Sequence, residues 1–312
     1  MCVADEVHDV ESAEALPGWN LRYLQVSRGT LAGSFRAVDL DGMQIVEERY
    51  AGVTLNEFGH APADTYMFSV AHWEGACGRI DAAPWTDGSL FMTRSDRDLD
   101  AVMPPGKNMT IVVNQDLLKE YVAVTQHLDL EKWLRRRSIL CIDSLPGKQI
   151  GTLAREVIAA NCANHFDERL GQAAREAVME ALADVVACNV SVGAPSFREM
   201  SRPLIVRHAR DFIRTHIHEP LQVIDLCRHL RLSRRALQSA FEDVLGVNPS
   251  TYMRLLRLNG ARASLLHPSD DLQVKDVLQQ WGFWHFSRFT ADYKRLYGEL
   301  PSQTLQRMAQ SH

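Results

Sequence analysis

The stretch that decides the fold of the C-terminal third of the chain is residues 272–302, which read LQVKDVLQQWGFWHFSRFTADYKRLYGELPS. Apolar residues recur three and four positions apart on both sides of Gly282, as they do in helices that bury one face. Gly282 suits a turn because glycine adopts positive φ at little cost. Gly298 suits the end of a helix for the same reason. The stretch therefore predicts a helix over about 272–281, a turn, and a second helix over about 286–297.

The same arrangement occurs once more, earlier in the chain. A short helix is predicted over 223–230, followed by a turn at 231–232. Ser233 then stands where its hydroxyl can cap the next helix, which is predicted over 234–245 and ends before Gly246. The sequence therefore predicts two helix-turn-helix units in one chain.

The second helix of the earlier unit has two chemically different faces. One face is apolar, and the opposite face carries two arginines and a glutamine. Arginine can donate two hydrogen bonds to guanine, and glutamine can make a similar two-point contact with adenine. The outward face therefore has the chemistry of a major-groove reader. The buried set is Leu237, Ala240, Phe241 and Val244, and the outward set is Arg234, Arg235, Gln238, Ser239 and Glu242.

Two further helices are predicted around this unit. An entry helix over 206–218 stops before Pro220, and a longer helix over 250–266 joins the two units. The longer helix acts as a connector, and its arginines either contact the DNA backbone or pair with neighbouring helices. These arginines are Arg254, Arg257 and Arg262.

Both units resemble the AraC/XylS family of transcriptional regulators over residues 204–308. The later unit carries the motif Gly282-Phe283-x-x-x-Ser287-x-Phe289-x-x-x-Tyr293-Lys294-Arg295-x-Tyr297-Gly298-x-x-Pro301-Ser302. The earlier one carries Ser233-x-Arg235-x-Leu237-x-x-x-Phe241-x-x-x-x-Gly246-x-x-Pro249-x-x-Tyr252 and, further on, Arg257-Leu258-x-x-Ala261-Arg262.

The resemblance implies a seven-helix domain whose two recognition helices enter adjacent major-groove segments of double-stranded DNA, roughly 34 Å apart. It also implies a small-molecule effector, contact with RNA polymerase and an activating role. The residues that would face DNA by this resemblance are Arg234, Arg235, Gln238 and Ser239 in the first unit and Phe286, Ser287, Arg288, Thr290, Ala291 and Lys294 in the second.

One position departs from the family pattern. Ala291 stands where the family commonly has arginine, and Asp292 follows it. We therefore expect the second unit to read fewer bases and to rely more on phosphate contacts. Base specificity would then rest mainly on Arg235 and Gln238.

Charge is distributed unevenly along the chain, whose net charge is -5. Residues 201–312 contain 16 lysines and arginines and 10 aspartates and glutamates, whereas residues 1–200 contain 18 and 29. The C-terminal part is thus the one suited to a polyanion. The start lacks a basic segment followed by an apolar run, and no stretch reaches the roughly 20 apolar residues of a membrane span, which predicts a cytoplasmic protein.

The six cysteines are scattered without CxxC pairs, which indicates neither a zinc site nor a disulfide framework; reduced, mostly buried thiols are expected. His60 and His72 lack neighbouring ligands, so no metal and no cofactor are predicted. An enzyme is the alternative class, yet no nucleophile elbow or phosphate loop is present. A third possibility is an interaction protein without DNA specificity, for which Ala291 is the hint.

The N-terminal part predicts an α+β architecture, with a β-sandwich or cupin-like barrel followed by helices. The firmest hairpin joins 34–40 to 43–50 through Asp41-Gly42, and further strands are expected at 64–70, 89–93 and 109–113. This region also resembles the ethanolamine-operon regulators through Arg28-Gly29, Phe35, Asp41-Gly42, Gln44 to Glu48 and Tyr50-x-Gly52-x-x-Leu55. Candidate aromatic side chains of the sandwich that could help to enclose an effector are Phe58, Tyr66, Phe68, Trp73 or Trp85.

Helical periodicity follows at 117–122, 128–134, 148–161 and 168–187. The apolar face of the last helix would pack on the sheet or on a second copy of the chain, which would give a homodimer. We therefore predict a sensor and dimerisation domain over 1–190, a linker over 191–203 and a DNA-binding domain over 204–312.

Overall fold

The computed structural model describes residues 2–7, 18–134, 140–142, 145–163, 167–188, 197–268 and 272–309. Its strands are β1 (Cys2–Val7), β2 (Asn20–Gln25), β3 (Ala32–Asp39), β4 (Met43–Ala51), β5 (Leu55–His60), β6 (Thr65–Trp73), β7 (Gly78–Ile80), β8 (Ala83–Trp85), β9 (Leu90–Arg94), β10 (Leu99–Met103), β11 (Gly106–Asn114) and β12 (Leu140–Ile142). Its helices are α1 (Gln115–Gln126), α2 (Leu130–Leu134), α3 (Leu145–Cys162), α4 (Glu168–Cys188), α5 (Phe197–Thr215), α6 (Val223–Leu230), α7 (Arg234–Leu245), α8 (Pro249–Leu266), α9 (Val274–Gln280), α10 (Phe286–Tyr297) and α11 (Pro301–Ala309).

Two antiparallel sheets form the N-terminal domain. The larger has the order β1-β3-β4-β11-β6-β9-β12, and the smaller has the order β2-β5-β10-β7-β8. The predicted hairpin joins β3 to β4, with Asp41 at φ 37° and Gly42 at φ 81°. The Leu40 N–H donates to the Met43 carbonyl oxygen at 2.7 Å. The predicted β-sandwich and hairpin are therefore confirmed.

The domain is layered because the side chains of each strand alternate between two environments. The outer face of the larger sheet packs under α1, α3 and α4, and the inner faces of both sheets meet in a second core. The outer face of the smaller sheet contributes Leu24 and Phe58 to a third core, which belongs to the C-terminal helices. The smaller sheet therefore lies between the larger sheet and the helical domain.

Helix α4 uses its apolar face within the chain. Val178, Leu182 and Val185 are buried in the core that the larger sheet shares with α1 and α3. Near the start of the helix, Leu170 remains exposed. Of the two packing partners predicted for this helix, the structure provides the one inside the same domain.

The entry to the helical domain differs from the prediction. Helix α5 begins at Phe197 and ends at Thr215, so it includes Pro203 and overlaps the predicted linker. Proline in a helix removes one backbone hydrogen bond, which is why the sequence favoured a break there. The structure tolerates Pro203 inside the helix, and its ring is buried. The rest of the predicted linker, 191–196, lies outside the described residues.

The cysteines do not all fit the expectation of buried, reduced thiols. Cys227 is a buried free thiol, but Cys77 is exposed. Cys162 is disulfide-bonded, which contradicts the expectation for that residue. Within the described ranges, no helix has the length and apolar character needed to cross a membrane.

The two domains meet along β2, β5 and β10. Arg210 of α5 and Asp100 of β10 form a buried ion pair, and the Arg210 guanidinium lies 4.3 Å from the centre of the Phe58 ring. Gln25 and Asn259 exchange two hydrogen bonds of 3.0 and 3.2 Å between backbone and side-chain amide. The smaller sheet is therefore tied to the helical domain by specific polar contacts as well as by apolar packing.

Candidate nucleic-acid interface

The first helix-turn-helix unit comprises α6 and α7. At the start of α6, the Gln222 N–H donates to Asp225 Oδ2 at 2.9 Å. Arg231 then adopts a left-handed conformation with φ 53°, which ends α6 and turns the chain. Ser233 Oγ accepts from the Ala236 N–H at 3.2 Å, as the sequence predicts for the N-cap of α7. Gly246 ends α7 with φ 71°.

The second unit, α9 and α10, repeats the helix-start hydrogen bond, the left-handed turn residue and the terminal glycine of the first. The Gln273 N–H donates to Asp276 Oδ2 at 3.1 Å, and Gly282 takes the left-handed turn position with φ 70°. Gly298 ends α10 with φ 79°. In both turns the residue after the left-handed one bonds back to a helix carbonyl, through Leu232 to Cys227 at 3.0 Å and Phe283 to Leu278 at 2.9 Å. The predicted duplication is thus present in its hydrogen bonding as well as in its helices.

The first recognition helix, α7, presents the polar face that the sequence predicts. Leu237, Ala240, Phe241 and Val244 are buried. Arg234, Arg235 and Gln238 are exposed, whereas Ser239 is half-buried and its hydroxyl lies 3.3 Å from Asp243 Oδ2. Gln238 Nε2 donates to Glu242 Oε1 at 2.9 Å. This last bond uses one of the two amide N–H groups of Gln238, and the second N–H and the amide oxygen are left for a base edge.

The second recognition helix, α10, presents a different surface. Its exposed positions include an aromatic ring, since 57% of Phe286 is accessible. Thr290 is half-buried, and its hydroxyl oxygen is buried with no hydrogen-bond partner in the described part of the chain. Of the residues predicted to face DNA, Thr290 is therefore the one whose polar atom points away from solvent. The remaining predicted positions are exposed: Ser287, Arg288, Ala291 and Lys294.

An open groove lies between the two units. Its larger part has a volume of about 810 Å³ and is lined by residues of both units and of α8. Arg234 of α7, Arg254 of α8 and Arg288 of α10 all line it. Three guanidinium groups thus converge on one concave surface, which concentrates positive potential there.

Asp292 is buried beside this groove, and it does not present a free carboxylate to DNA. Its Oδ1 lies 2.8 Å from Arg295 Nη2, and its Oδ2 lies 3.7 Å from Arg254 Nη1. The carboxylate therefore holds Arg254 at the edge of the groove. Of the two alternatives predicted for Arg254, the structure shows pairing with a neighbouring helix. The other guanidinium nitrogens of Arg254 can still reach a phosphate from this position.

The other two arginines of α8 form hydrogen bonds within the helical domain. Arg257 donates to the carbonyl oxygens of Ile217 and Glu219, at 3.3 and 2.8 Å. Arg262 donates to Glu299 Oε1 at 2.9 Å and lies 4.5 Å from the centre of the Tyr297 ring. Of the alternatives for these two residues, the structure favours pairing within the helical domain.

Trp284 is the residue of this surface that the sequence analysis missed. It is 83% exposed and lines the groove beside Arg288. Counted from the left-handed residue to the N-cap, the second unit has four turn residues, Gly282 to His285, and the first has three, Arg231 to Ser233. A residue-by-residue alignment of the two units would have marked Trp284 as the additional residue.

The five aromatic residues proposed to enclose an effector do not come together. Phe58 faces the helical domain and packs on Arg210, while Tyr66 and Phe68 face the helices above the larger sheet. Trp73 and Trp85 lie in the core between the sheets. Alternation along the strands directs these candidate side chains into three different cores, so the five do not line one common pocket.

The described residues contain no group of three or more His, Cys, Asp or Glu side chains that could hold a metal ion. His72 Nδ1 instead lies 3.3 Å from Asp87 Oδ1, and His60 Nε2 lies 3.0 Å from Asn20 Nδ2.

Residues 226–307 match a family model described as a helix-turn-helix domain, which is the class that the geometry defines. The probable thc operon regulatory protein of Rhodococcus erythropolis is 36% identical over 104 residues, which cover 33% of this chain and 31% of that protein. The XylDLEGF operon transcriptional activator 3 of Pseudomonas putida is 31% identical over 118 residues, which cover 38% of this chain and 33% of that protein. The C-terminal region belongs to the AraC/XylS type of helix-turn-helix domains, as the sequence motifs predict.

These matches cover only about a third of the length of the two curated relatives. Among solved structures, the AraC-like transcriptional activator CuxR is similar over 84% of this chain and 96% of its own, with 15% identity and a TM-score of 0.45. An AraC-type regulator from Chromobacterium violaceum is similar over 36% of this chain and 97% of its own, with 28% identity and a TM-score of 0.33.

Proposed function

We propose that the protein is a sequence-specific DNA-binding transcriptional regulator, acting in the cytoplasm as an activator that responds to a small molecule bound by its N-terminal domain. The observation that carries the DNA-binding part is the groove between the two units, where Arg234, Arg254 and Arg288 converge. Guanidinium groups bind phosphates and guanine edges, and duplicated recognition helices suit two successive major-groove segments. The proposed role is binding rather than catalysis.

The contacts between domains support a response to an effector. The smaller sheet touches the first unit through Arg79 of β7, whose guanidinium donates to the Glu242 carbonyl oxygen at 3.4 Å. It touches the second through Gln25 at the end of β2, whose side-chain amide donates to the Leu296 carbonyl oxygen at 3.0 Å; the N–H of Gly29, in the loop after β2, donates to the same oxygen at 3.0 Å. Since both recognition helices are held near their C-terminal ends by one sheet, a change in that sheet would alter the relative position of the two helices.

A salt-resolved gel-shift titration of the full chain on the promoter beside its own gene tests the DNA-binding part. Arg235→Ala should weaken specific binding by roughly 5-fold to 150-fold, because a bidentate arginine contact contributes about 1–3 kcal/mol of base discrimination. Arg97→Ala, which removes an exposed arginine of the N-terminal domain, serves as the matched control and should leave the affinity unchanged. Equal affinities of the wild type and Arg235→Ala would remove the proposed role of the first unit.

The proposed activator would contact RNA polymerase, and a homodimer is the proposed assembly. In vitro transcription from the same promoter distinguishes activation from repression, because added protein should raise the transcript yield. Sedimentation of the full chain with and without DNA tests whether two copies assemble. A monomer on a single operator would refute the dimer while leaving the DNA-binding proposal intact.

A further inference from the structure

Helix α8 joins the two units and places one arginine in the groove between them. Arg254 of this helix lines both parts of the groove, the smaller of about 390 Å³ and the larger of about 810 Å³. Its side chain is 41% exposed. Arg234 and Arg288 line the same two parts but belong to the recognition helices α7 and α10. Arg254 is therefore an accessible cation that lies between the recognition helices and belongs to neither.

The geometry of B-form DNA determines which surface of the duplex meets such a position. Two recognition helices that enter successive major-groove segments on one face of the duplex lie about 34 Å apart along it. On that face the minor groove lies between the two major-groove segments, with a sugar–phosphate strand on each side of it. A side chain between the two units therefore faces the minor groove and not the base edges of either major-groove segment.

The side chains of the groove match a minor groove better than they match phosphates alone. Apolar side chains lie exposed beside the arginines, since Ile224 is 50% and Trp284 is 83% exposed and both line the larger part of the groove. Binding of phosphates requires only cations and hydrogen-bond donors. Proteins that bind the minor groove combine arginines with apolar side chains, because the walls of that groove are deoxyribose rings. The groove contains both kinds of side chain.

Asp292 holds Arg254 in its place without neutralising the groove. Of the described residues that line the groove, it is the one acidic residue, and it is buried. Its Oδ2 lies 3.7 Å from Arg254 Nη1, while Oδ1 lies 2.8 Å from Arg295 Nη2. Because two arginines share this carboxylate, Arg254 keeps positive potential and N–H groups for a further partner. An arginine that is already held loses less conformational entropy on binding.

An arginine in the minor groove produces a sequence preference through the width of that groove. Stretches of A·T pairs have a narrow minor groove with enhanced negative potential, which attracts an inserted arginine. A G·C pair adds the guanine N2 amino group to the same groove and so disfavours a cation there. Arginine is better suited than lysine, because its guanidinium is more weakly hydrated and loses less when it leaves water.

We propose that Arg254 enters the minor groove midway between the two major-groove segments and that the operator therefore prefers A·T pairs there. We call these central base pairs the spacer. Asp292 is the positioning residue for Arg254, while Ile224 and Trp284 pack against the deoxyribose rings beside it. This inference rests on the proposed DNA binding and adds a third source of specificity to the two recognition helices. The partner is thus a duplex with a narrow minor groove at its centre.

Substitutions in the spacer test the proposal with the full wild-type chain. Methylation protection of guanine N7 on the promoter beside its own gene first locates the two major-groove segments. The spacer is then changed to A·T, G·C or inosine·C pairs, and gel shifts give the three affinities. Inosine lacks the N2 amino group, so inosine·C resembles A·T in the minor groove and G·C in the major groove. Relative to A·T, the G·C spacer should weaken binding by roughly 5-fold to 30-fold and inosine·C by less than about 2-fold.

Variants of the protein assign the preference to Arg254. Arg254→Ala and Arg254→Lys should each bring the affinities for the A·T and G·C spacers to within about 2-fold of each other, although lysine keeps the charge. Arg228→Ala removes an exposed arginine of α6 that does not line the groove, and this matched control should retain the full preference. Asp292→Asn should reduce the preference and leave guanine N7 protection in both segments unchanged. A full preference in Asp292→Asn would remove its positioning role.

The outcomes separate this inference from the proposed function. Specific binding with equal affinities for the three spacers would overturn the inference and leave the proposed function intact. An inosine·C spacer that binds as weakly as G·C would also overturn it, because the preference would then be read in the major groove. So would an Arg254→Ala variant that loses affinity equally for all spacers, because Arg254 would then contact phosphates only. A protein that binds the promoter without specificity would refute both proposals.

Discussion

The two helix-turn-helix units share a backbone design and differ in the chemistry of their recognition helices. When α7 and α10 are aligned from their first residues, Ala240 and Asp292 occupy the same inward position. In the first unit that position holds a buried methyl group, and in the second it holds a carboxylate bound by two arginines. Duplication has preserved the fold while the side chains have diverged.

The starts of the two recognition helices differ as well. Ser233 caps α7 through its hydroxyl, whereas the N-cap residue of α10, His285, makes no side-chain hydrogen bond to the helix. The first-turn N–H groups of α10 are therefore free to bind a phosphate, to which a helix N-terminus is suited. The first unit has the longer polar side chains for base edges, and the second has the features of a unit that positions the protein on the backbone.

The largest expected effect is on the stability of the protein, at the buried ion pair that joins Arg210 of the helical domain to Asp100. Arg210→Met should destabilise the protein by about 3–5 kcal/mol, because it leaves Asp100 buried without its counter-charge. Gln25→Ala, which removes a contact to the second unit, should cost only about 1 kcal/mol. Chemical denaturation measures both values. The double variant Arg210→Met/Asp100→Leu should recover most of the loss, and similar costs for the two single variants would contradict the asymmetry.

Asp81, which lies beside Asp100 of this ion pair, makes the stability of the protein sensitive to pH. Burial and the neighbouring Asp100 raise the pKa of Asp81 to about 7, although Arg207 and Arg210 oppose the shift. The folded state then binds a proton that the unfolded state releases near pH 4, so stability should fall as pH rises from about 4 to 7 and change little above that range. Asp81→Asn should remove the contribution of Asp81 to this decrease, a total of the order of a few kcal/mol, in a series of unfolding measurements across pH. A wild-type profile identical to that of Asp81→Asn would refute the assignment.

Base reading should be concentrated in the half-operator under the first unit. Single base-pair changes there should each cost about 1–3 kcal/mol of binding free energy, whereas changes under the second unit should cost less. Lys294→Ala should lower affinity for every sequence equally and reduce the slope of log K against log salt by about 1. Competition gel shifts with a set of substituted operators provide the data. Equal base sensitivity in both half-operators would break the division of roles.

Trp284 should contribute to affinity without contributing to stability. An aromatic ring that is 83% exposed in the free protein gains contact area when DNA fills the groove. Trp284→Ala should weaken DNA binding by roughly 3-fold to 10-fold with an unchanged salt slope, because the contact carries no charge. Val124→Ala, which shortens an exposed apolar side chain of α1, is the control and should bind DNA with the affinity of the wild type. Isothermal titrations at three salt concentrations separate the apolar contribution from the ionic one.

The sequence predicted the helices of both units but not Trp284, and this difference shows which features local sequence patterns determine. Periodicity and turn residues predicted α6, α7, α9 and α10, because each helix buries a stripe that its own residues define. The orientation of Phe58 toward Arg210 could not be predicted in this way, because it depends on which face of β5 meets the helical domain. The buried hydrogen bond from Tyr23 to Glu48 has the same origin, since these two side chains come together only when the two sheets stack. Local rules predict elements, whereas tertiary packing decides which residues share a site.

Thr290 provides the smallest and most discriminating test of the comparison. In α10 it occupies the position that Gln238 holds in α7, yet its hydroxyl oxygen is buried and unpartnered. Thr290→Val keeps the shape and removes that polar atom, so stability should stay the same or rise by less than about 1 kcal/mol. DNA affinity should not change, whereas Gln238→Ala should relax the preference at one base pair. A loss of affinity in Thr290→Val comparable to that of Gln238→Ala would mean that the hydroxyl turns outward on binding and that the second unit reads bases after all.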